Sequence, residues 1–369
     1  MQKSSRYHKQ MLFAGIGESG QQRLGNSRVL LIGCGALGCV LADSLTRAGV
    51  GHIRIVDRDF VELSNLQRQI LFDEQDAHEQ LPKAIAAHRR LARINSGVTI
   101  EPIVADLDFS NIARLCDGVD LILDGTDNFE TRYLINDAAL EYGIPWIFTG
   151  VTGSSGQLMP VIPGTSPCLR CLMPQPPPPG ATETCDTAGV LGPAVGVLAS
   201  VQAAIALKVL AGHSSELLPQ LTLIDVWTGS HRHVDLAPLL TSTACPACHQ
   251  QERLWLQGTR RAASTVLCGR NAVQISPPEN VSLSLEELAQ RLQGAGEIST
   301  NRFLLRLTLP TEKTTATPNE QPDREPAVNA TETNTVPVEI TVFPDGRAII
   351  RGTSDSMVAR SLYSRYIGG

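Results

Sequence analysis

The sequence has few charged and aromatic residues and no excess of basic residues. The low share of charged residues excludes a disordered chain, and the missing basic excess argues against a nucleic-acid-binding protein. Charged residues make up 18% of the 369 residues and aromatic residues 4%, against 42% hydrophobic residues. A chain of this composition folds, and its length is sufficient for one large α/β core and a smaller module. The net charge is −6, whereas nucleic-acid-binding proteins carry an excess of positive charge. We therefore expect no nucleic acid among the partners of this protein.

Long uninterrupted apolar runs are also missing. Residues 1–13 lack the continuous apolar core of a signal peptide. The most apolar segment, residues 189–212, contains one charged residue, Lys208, and approaches the roughly 20 residues that a membrane span needs. Because Gln202 and several glycines interrupt it, we expect a buried helix in a cytoplasmic protein that does not interact with a membrane.

The nine cysteines are an odd number, which does not suit a disulfide framework and favours a reducing compartment. Four of them form two C-x-x-C pairs, Cys168 with Cys171 and Cys245 with Cys248. Each pair can supply two thiolates, so together they predict a closed tetrahedral zinc site of structural rather than catalytic type. The alternative is that two such pairs occur by chance.

The strongest pattern in the chain is a strand, a glycine turn, a helix, a second strand and an acidic turn, in that order. These are the strand 29–32, the glycines Gly33, Gly35 and Gly38, the helix 37–48, the strand 52–56 and the acids Asp57 and Asp59. This order is typical of a nucleotide-binding βαβ unit, in which glycines let the backbone approach a phosphate. Alone it predicts only a nucleotide, because nicotinamide dehydrogenases share it.

The residues after Asp59 narrow this prediction. Residues 57–69 read D-x-D-x-V-x-x-S-N-L-Q-R-Q, and an arginine such as Arg68 can hold phosphate oxygens through two parallel hydrogen bonds. A dehydrogenase has no use for that arginine. The pattern resembles the ubiquitin-activating-enzyme-like adenylyltransferases of the ThiF/MoeB/HesA family, and the resemblance covers residues 4–250.

The resemblance implies a fold, a reaction and partners. The fold would be α/β, with a doubly wound, mostly parallel Rossmann-like sheet that carries the zinc site, in a homodimer. The reaction would be adenylation, with ATP and Mg²⁺, of the C-terminal glycine of a small ubiquitin-like sulfur-carrier protein of the ThiS or MoaD type. A sulfur donor protein would then supply sulfur for thiamin or molybdopterin cofactor biosynthesis.

The resemblance also assigns residues to the nucleotide. Asp59 would hold the ribose, and Arg68 and Lys83 would hold the phosphates. The full set of expected ligands is Gly33, Gly35, Ala36, Gly38, Asp57, Asp59, Asn65, Arg68, Gln69, Lys83, Asp127 and Asn128. From the pattern alone, Lys83 could also be a surface lysine, although the start of a helix is an unfavourable place for a cation without a nearby anion.

Asp127 lies in the sequence D-G-T-D-N, directly after a predicted strand at residues 119–123, where open α/β sheets bind ligands. The resemblance implies that Asp127 holds the magnesium ion, a role that Asn128 could share. The alternative is that Asp127 caps the following helix.

Two positions depart from the family pattern. Lys9 stands where relatives have an arginine that reaches into the nucleotide site of the partner subunit, so the charge is kept but the bidentate fork is lost. Ala36 stands where many relatives have a glycine in the phosphate loop, which is acceptable if its φ remains negative.

Cys185 belongs to neither C-x-x-C pair and lies in a predicted crossover loop, residues 174–188. In related sulfur-transfer enzymes a cysteine at this place can form a covalent link to the carrier or relay sulfur. The resemblance therefore makes Cys185 a candidate catalytic residue. The alternative is an inert small hydrophobic residue.

Two domains are predicted, an adenylyltransferase domain at residues 1–256 and a small α+β module at residues 257–369. In the module, Ser284 begins a capping box that opens a helix, and residues 303–307 read as a strand. Residues 310–337 are rich in threonine, glutamate, proline and asparagine, which predicts a disordered insert.

Two other functions use parts of the same pattern. A nicotinamide-dependent oxidoreductase would share the glycine loop, but it leaves S-N-L-Q-R-Q, T-D-N and the paired cysteines unexplained. A non-catalytic binding partner, like the inactive half of a heterodimeric activating enzyme, would lose its phosphate ligands. Here Arg68, Lys83 and Asp127 are all present, and only Lys9 favours that alternative.

Overall fold

The computed structural model of the chain forms two compact units, residues 1–261 and 262–369. The residues that it describes are 6–177, 188–241, 245–260, 264–267, 271–275, 282–310 and 337–367. Cys185 and most of the predicted crossover loop and insert lie outside these ranges.

The first unit contains eight strands and the longer helices. Its strands are β1 (Arg28–Ile32), β2 (His52–Val56), β3 (Thr99–Ile103), β4 (Leu121–Asp124), β5 (Trp146–Thr152), β6 (Ser155–Val161), β7 (Gln220–Asp225) and β8 (Ser230–Asp235). Its helices are α1 (His8–Met11), α2 (Gly17–Asn26), α3 (Ala36–Ala48), α4 (Glu74–His78), α5 (Lys83–Ile94), α6 (Ile112–Cys116), α7 (Phe129–Tyr142), α8 (Leu169–Leu172), α9 (Gly192–Leu210) and α10 (Ala237–Leu240). Short 3-10 helices lie at Leu63–Asn65 and Ser214–Glu216.

The strands of the first unit form one sheet in the order β3-β2-β1-β4-β5-β6-β7-β8. The four pairings from β3 to β5 are parallel, and the three from β5 to β8 are antiparallel. The predicted mixed α/β fold with a mostly parallel sheet is therefore confirmed. Because β1, β2 and β4 are parallel neighbours, the turns that follow them meet at one edge of the sheet.

The apolar segment before residue 212 forms α9, which is long and apolar enough to cross a membrane. In the structure α9 packs against α3, β5 and β6. The side chain of Gln202 is fully buried and donates hydrogen bonds to the main-chain oxygens of Asp124 (3.0 Å) and Ile147 (3.1 Å). These bonds satisfy the side-chain N–H donors of Gln202, while its Oε1 has no hydrogen-bond partner among the described residues. With its inner face packed in this way, α9 serves as a core helix of the first unit.

The second unit is an antiparallel sheet with two helices. Its strands are β9 (Ser264–Leu267), β10 (Ala272–Ile275), β11 (Glu297–Thr300), β12 (Leu305–Thr308), β13 (Glu339–Val342) and β14 (Ala348–Arg351), and its helices are α11 (Leu285–Arg291) and α12 (Ser356–Tyr366). The strand order is β11-β12-β13-β14-β10-β9, and both helices contribute to one apolar core with the sheet.

Local hydrogen bonds set the element boundaries in the second unit. The Ser284 hydroxyl accepts the N–H of Glu287 and caps α11, as the sequence predicts. β12 begins at Leu305 rather than at Phe303, because the side chain of Asn301 accepts the N–H groups of Phe303 and Leu304 and holds both in a turn.

Glycines allow the turns after β1 and β4 to come into close contact. Gly33 has a φ of +86°, and a Cβ there would lie 2.6 Å from the main-chain oxygen of Gly125. A Cβ on Gly38, in the first turns of α3, would collide with the main-chain oxygen of Gly33. The glycine spacing is therefore required by backbone packing as well as by any ligand.

This packing predicts opposite effects for two helical glycine substitutions. Gly38→Ala should lower the free energy of unfolding by about 1 to 3 kcal/mol, because the methyl group overpacks the turn. Gly196→Ala in α9 meets no atom within 4 Å and should be neutral or stabilising by up to about 1 kcal/mol, since alanine favours helices. Urea unfolding followed by tryptophan fluorescence measures the first unit alone, because Trp146, Trp227 and Trp255 all lie in it. Equal effects of the two substitutions would contradict the packing argument.

Candidate active site

Asp57 joins the glycine turn to the acidic turn after β2. One of its carboxylate oxygens accepts the N–H of Cys34 (2.6 Å), and the other accepts the N–H of Asp59 (2.7 Å). Burial raises the pKa of Asp57, an effect opposed by the nearby Lys83 and by these two hydrogen bonds. Asp57, predicted as a nucleotide ligand, is thus engaged by the backbone and fixes the two turns relative to each other.

Lys83 is buried beside Asp59 and is not the surface lysine that its sequence context allowed. Its side chain is 3% exposed, and its Nζ lies 3.1 Å from Oδ2 of Asp59. The main chains of the two residues are also hydrogen-bonded: the N–H of Lys83 donates to the main-chain oxygen of Asp59 (2.9 Å). Pro82 is the N-cap of α5, and Lys83 is the first residue of the helix. The start of α5 therefore presents a fixed cation to the acidic turn.

Arg58 adds a second cation that the sequence analysis missed. Its Nη1 lies 3.0 Å from the Asp106 carboxylate and its Nε lies 3.8 Å from that of Asp59. Burial alone would lower the pKa of Arg58, but the carboxylates of Asp106, Asp59 and Asp127 outweigh it and raise the pKa. The D-R-D sequence contained the only local signal for this residue, since Asp106 lies 48 positions away.

The turn after β4 divides two roles between Asp127 and Asn128. The Asn128 side chain accepts the N–H of Thr131 (2.8 Å) and caps α7. The alternative that Asp127 is the cap is therefore wrong. Asp127 is exposed and makes no hydrogen bond or ion pair within the part of the chain that the structure describes. Its carboxylate lies close enough to Arg58 to contribute to the raised pKa of that guanidinium.

The S-N-L-Q-R-Q segment, residues 64–69, forms a compact turn that follows the acidic turn of Asp57 and Asp59 in the chain. Asn65 is buried and its side-chain oxygen accepts the N–H of Glu62 (3.3 Å). Arg68 is half-buried, with Nη1 3.1 Å from the main-chain oxygen of Ser64. Gln69 is buried, and among the described residues its Oε1 has no hydrogen-bond partner. Arg68 makes no other side-chain hydrogen bond among the described residues, so its remaining guanidinium donors can serve a ligand.

Ala36 and Lys9 occupy simple positions. Ala36 begins α3, with Gly35 as the N-cap, and it is not among the described residues with positive φ. Its methyl group is therefore accommodated. Lys9 lies exposed on α1, and the role predicted for it requires a second chain.

The four cysteines of the C-x-x-C pairs come together in one cluster. Their sulfur atoms all lie within 4.8 Å of one another, with separations of 3.8 Å (Cys168–Cys171), 3.7 Å (Cys168–Cys245) and 3.4 Å (Cys171–Cys248). Burial and the negative charge of neighbouring thiolates raise the pKa of Cys248 to about 12. A cation is therefore needed before all four groups can be thiolates together.

Helix α7 holds both segments that carry the cysteines. Asn136 accepts the N–H of Leu169 (2.9 Å), which lies between the first two cysteines. Asp137 accepts the N–H groups of Trp255 (3.0 Å) and Leu256 (3.4 Å), which follow the second pair. Asp137 is fully buried, and this burial raises its pKa to about 6 despite the two hydrogen bonds.

Comparisons of this sequence with a family model and with curated proteins agree on one family. A model of the ThiF family matches residues 7–249. The chain is 41% identical over 366 residues to the sulfur carrier protein ThiS adenylyltransferase of Bacillus subtilis, covering 99% of this chain and 100% of the relative. It is 40% identical to the sulfur carrier protein adenylyltransferase of Thermus thermophilus, covering 66% of this chain and 90% of that protein. It is 36% identical to the pig (Sus scrofa) adenylyltransferase and sulfurtransferase MOCS3. That alignment covers 75% of this chain and 61% of the relative.

Solved structures with the same fold are more distant in sequence. Escherichia coli MccB crystallised with succinimide superimposes with a TM-score of 0.58 at 22% identity, covering 66% of this chain and 74% of that chain. The PaaA structure gives a TM-score of 0.54 at 21% identity, covering 64% of this chain and 83% of the other. These two comparisons establish the fold of the first unit alone.

The raised pKa of Asp137 predicts a pH-dependent stability term. The unfolded carboxyl titrates near 3.8 and the folded one near 6, so the folded state binds the proton more tightly and loses stability as the pH rises between these values. A shift of about two units corresponds to roughly 3 kcal/mol. Asp137→Asn should therefore gain up to that amount relative to the wild type between pH 4 and pH 7 in urea unfolding. The exposed Asp117→Asn is the control, and a difference between Asp137→Asn and wild type that does not change with pH would contradict the argument.

Proposed function

This chain belongs to the ThiF family, and we propose that it catalyses the ATP-dependent adenylation of the C-terminal glycine of a small ubiquitin-like sulfur-carrier protein. The observation that carries the proposal is the meeting, at one edge of the sheet, of the glycine turn, the Asp59–Lys83 pair and the exposed carboxylate of Asp127, which has no ion pair among the described residues. The Bacillus and Thermus relatives are adenylyltransferases of sulfur carrier proteins, and the Bacillus relative aligns with both units of this chain.

The pocket residues fit a magnesium nucleotide. The glycine turn and the N-terminus of α3 suit phosphate, because backbone N–H groups and the helix dipole face it there. We infer that Asp59 binds the ribose and that Asn65, Arg68 and Lys83 bind the phosphates. Asp127 holds a magnesium ion, which neutralises phosphate charge. Gly33, Gly35, Ala36, Gly38, Asp57, Gln69 and Asn128 form the walls of the pocket.

The reaction that follows is a displacement at the α-phosphorus. An oxygen of the carrier's terminal carboxylate forms a bond to that phosphorus, and the bond to the bridging oxygen of the β-phosphate breaks. The products are the carrier acyl-adenylate and pyrophosphate. The residues of this chain contribute positioning and charge neutralisation rather than covalent chemistry.

The cysteine cluster fits zinc. Zinc–thiolate bonds of about 2.3 Å in a tetrahedron place sulfur atoms about 3.8 Å apart, close to the separations of 3.4 to 3.8 Å in the cluster. Since all four ligands come from the protein, zinc would have a structural role and would join the segments around Cys168 and Cys245.

A homodimer is part of the proposal. Leu12 and Phe13, three and four positions after Lys9, are 64% and 67% exposed in the single chain. A pair of exposed large apolar side chains on this segment supports its burial against a second copy. Lys9 would then add positive charge to the partner's nucleotide pocket.

The later steps involve other proteins. A sulfur donor protein would supply sulfide-level sulfur, which forms a bond to the acyl carbon as the bond to AMP breaks, giving a thiocarboxylate and free AMP. The cytoplasm is the compartment that suits the reduced thiols. Cys185 remains the candidate for a covalent link to the carrier. The ThiS relative favours thiamin biosynthesis as the pathway.

The adenylation proposal predicts that Asp127→Asn reduces ATP–pyrophosphate exchange about a hundredfold, because loss of one charged group in such a site costs on the order of 3 kcal/mol. Asp117→Asn, another exposed acid of the first unit, should retain full exchange. Bacillus subtilis ThiS, and the same protein lacking its last glycine, serve as carriers, and only the intact carrier should support exchange. ATP binding without exchange for any carrier would instead favour the non-catalytic binding partner, and bound NAD would favour the oxidoreductase.

The zinc proposal predicts one zinc per chain by elemental analysis. Cys245→Ser should abolish most of this zinc and lower the melting temperature, because the remaining thiolates lose their shared cation. Cys116→Ser changes a buried cysteine outside the cluster and should retain zinc. Retention of zinc by Cys245→Ser would show that the cluster is not the metal site.

A further inference from the structure

The turn that presents Asp127 is fixed at nearly every residue. The N–H of Gly125 donates to the main-chain oxygen of Ile32 (2.8 Å). The N–H and hydroxyl of Thr126 both donate to Oδ1 of Asp124, at 2.9 and 2.7 Å. Asn128 is fixed as the cap of α7. The side chain of Asp127 is the exception, since it makes no hydrogen bond or ion pair with any residue that the structure describes, and the turn forms a frame around its carboxylate.

Arg132 closes this frame from α7. Its Nε donates to Oδ2 of Asp124 (2.9 Å), and its Nη2 donates to the main-chain oxygens of Thr126 (2.8 Å) and Thr149 (3.0 Å). Its side chain is 8% exposed and that of Asp124 is fully buried. The guanidinium also lies 5.3 Å from the ring centre of Phe148, so packing restricts it as well as hydrogen bonding.

The geometry of these bonds joins three elements. Asp124 ends β4, Thr149 lies in β5, and Arg132 is the fourth residue of α7. Lysine could replace the charge of Arg132, but a single ammonium cannot reproduce the planar fork that reaches a carboxylate and two carbonyl oxygens at once. The position of the turn thus depends on the guanidinium and on more than charge compensation.

We propose that Arg132 is a positioning residue of the adenylation site, which holds the turn 125–128 so that Asp127 meets the metal–nucleotide without reorganisation. The proposal rests on the proposed function, since it assigns Asp127 to that site. Preorganised charge contributes to catalysis only while its frame keeps it in place, and misplacement by about 1 Å can cost a hundredfold in rate. The hydrogen bonds of the Arg132 side chain go to Asp124, Thr126 and Thr149, so its effect on the site would pass through the turn.

The test compares Arg132→Met, Arg132→Lys and a control on the same helix. Asn136→Ala removes a buried hydrogen bond of α7 that leads to Leu169 and away from the turn. ATP–pyrophosphate exchange with Bacillus subtilis ThiS is measured against Mg²⁺ concentration, well below the melting temperature of each variant. Near-ultraviolet circular dichroism shows that each variant is folded.

A positioning role predicts that Arg132→Lys remains folded, with at least about a tenfold higher half-saturating Mg²⁺ concentration, equivalent to about 1.4 kcal/mol. Arg132→Met should lose about a hundredfold in kcat. Asn136→Ala should lose stability but keep the Mg²⁺ dependence of the wild type. If Arg132→Lys also keeps that dependence, or if Asn136→Ala changes it equally, Arg132 is merely structural and the inference is wrong.

The same experiment separates this inference from the proposed function. Wild-type protein that gives no exchange with the carrier at any Mg²⁺ concentration contradicts adenylation itself. Wild-type exchange together with an unaltered Mg²⁺ dependence in Arg132→Lys contradicts only the positioning role.

Discussion

The parallel alignment of β1, β2 and β4 is the constraint on which the rest of the site depends. Parallel neighbours end at the same edge, so three turns that are distant in sequence must occupy one small region. The close approach of Gly33 and Gly125 is a direct consequence, since no side chain fits between these turns. The position of these turns is therefore set by backbone geometry before any polar side chain is considered.

Crowding of acidic turns at this edge creates a second requirement, for cations. Asp59 and Asp106 would repel each other if buried alone, and Lys83 and Arg58 reduce this cost by lying between or beside them. Asp127 remains without an ion pair within the described residues. Asp127 is exposed and interacts with Arg58 only at a distance, so the proposed magnesium ion would complement its charge.

Local patterns predicted the fold better than they predicted contacts. The run 29–32 and the glycine spacing were sufficient for β1, α3 and the sheet edge, because they depend on periodicity and backbone freedom. The pairing of Arg58 with Asp106 was not predictable, because the partners lie on different strand ends and any surface arginine has the same local appearance. For Asp127 and Asn128 both side chains are good caps, so only the path of the backbone could decide between them.

Helix α7 connects the candidate active site to the cysteine cluster. Arg132 and Asn128 attach its first turns to the end of β4, while Asn136 and Asp137 attach later turns to the two segments that carry the cysteines. A buried aspartate whose pKa rises to about 6 lowers the stability of the fold near neutral pH. Its hydrogen bonds hold a chain segment that has little regular structure of its own. A metal that fixes those segments would thus also fix the far end of the helix whose near end carries the turn of Asp127. The two ends of α7 are nevertheless held by separate sets of hydrogen bonds, so α7 can lose its attachment to the cysteine segments while the turn of Asp127 keeps its own.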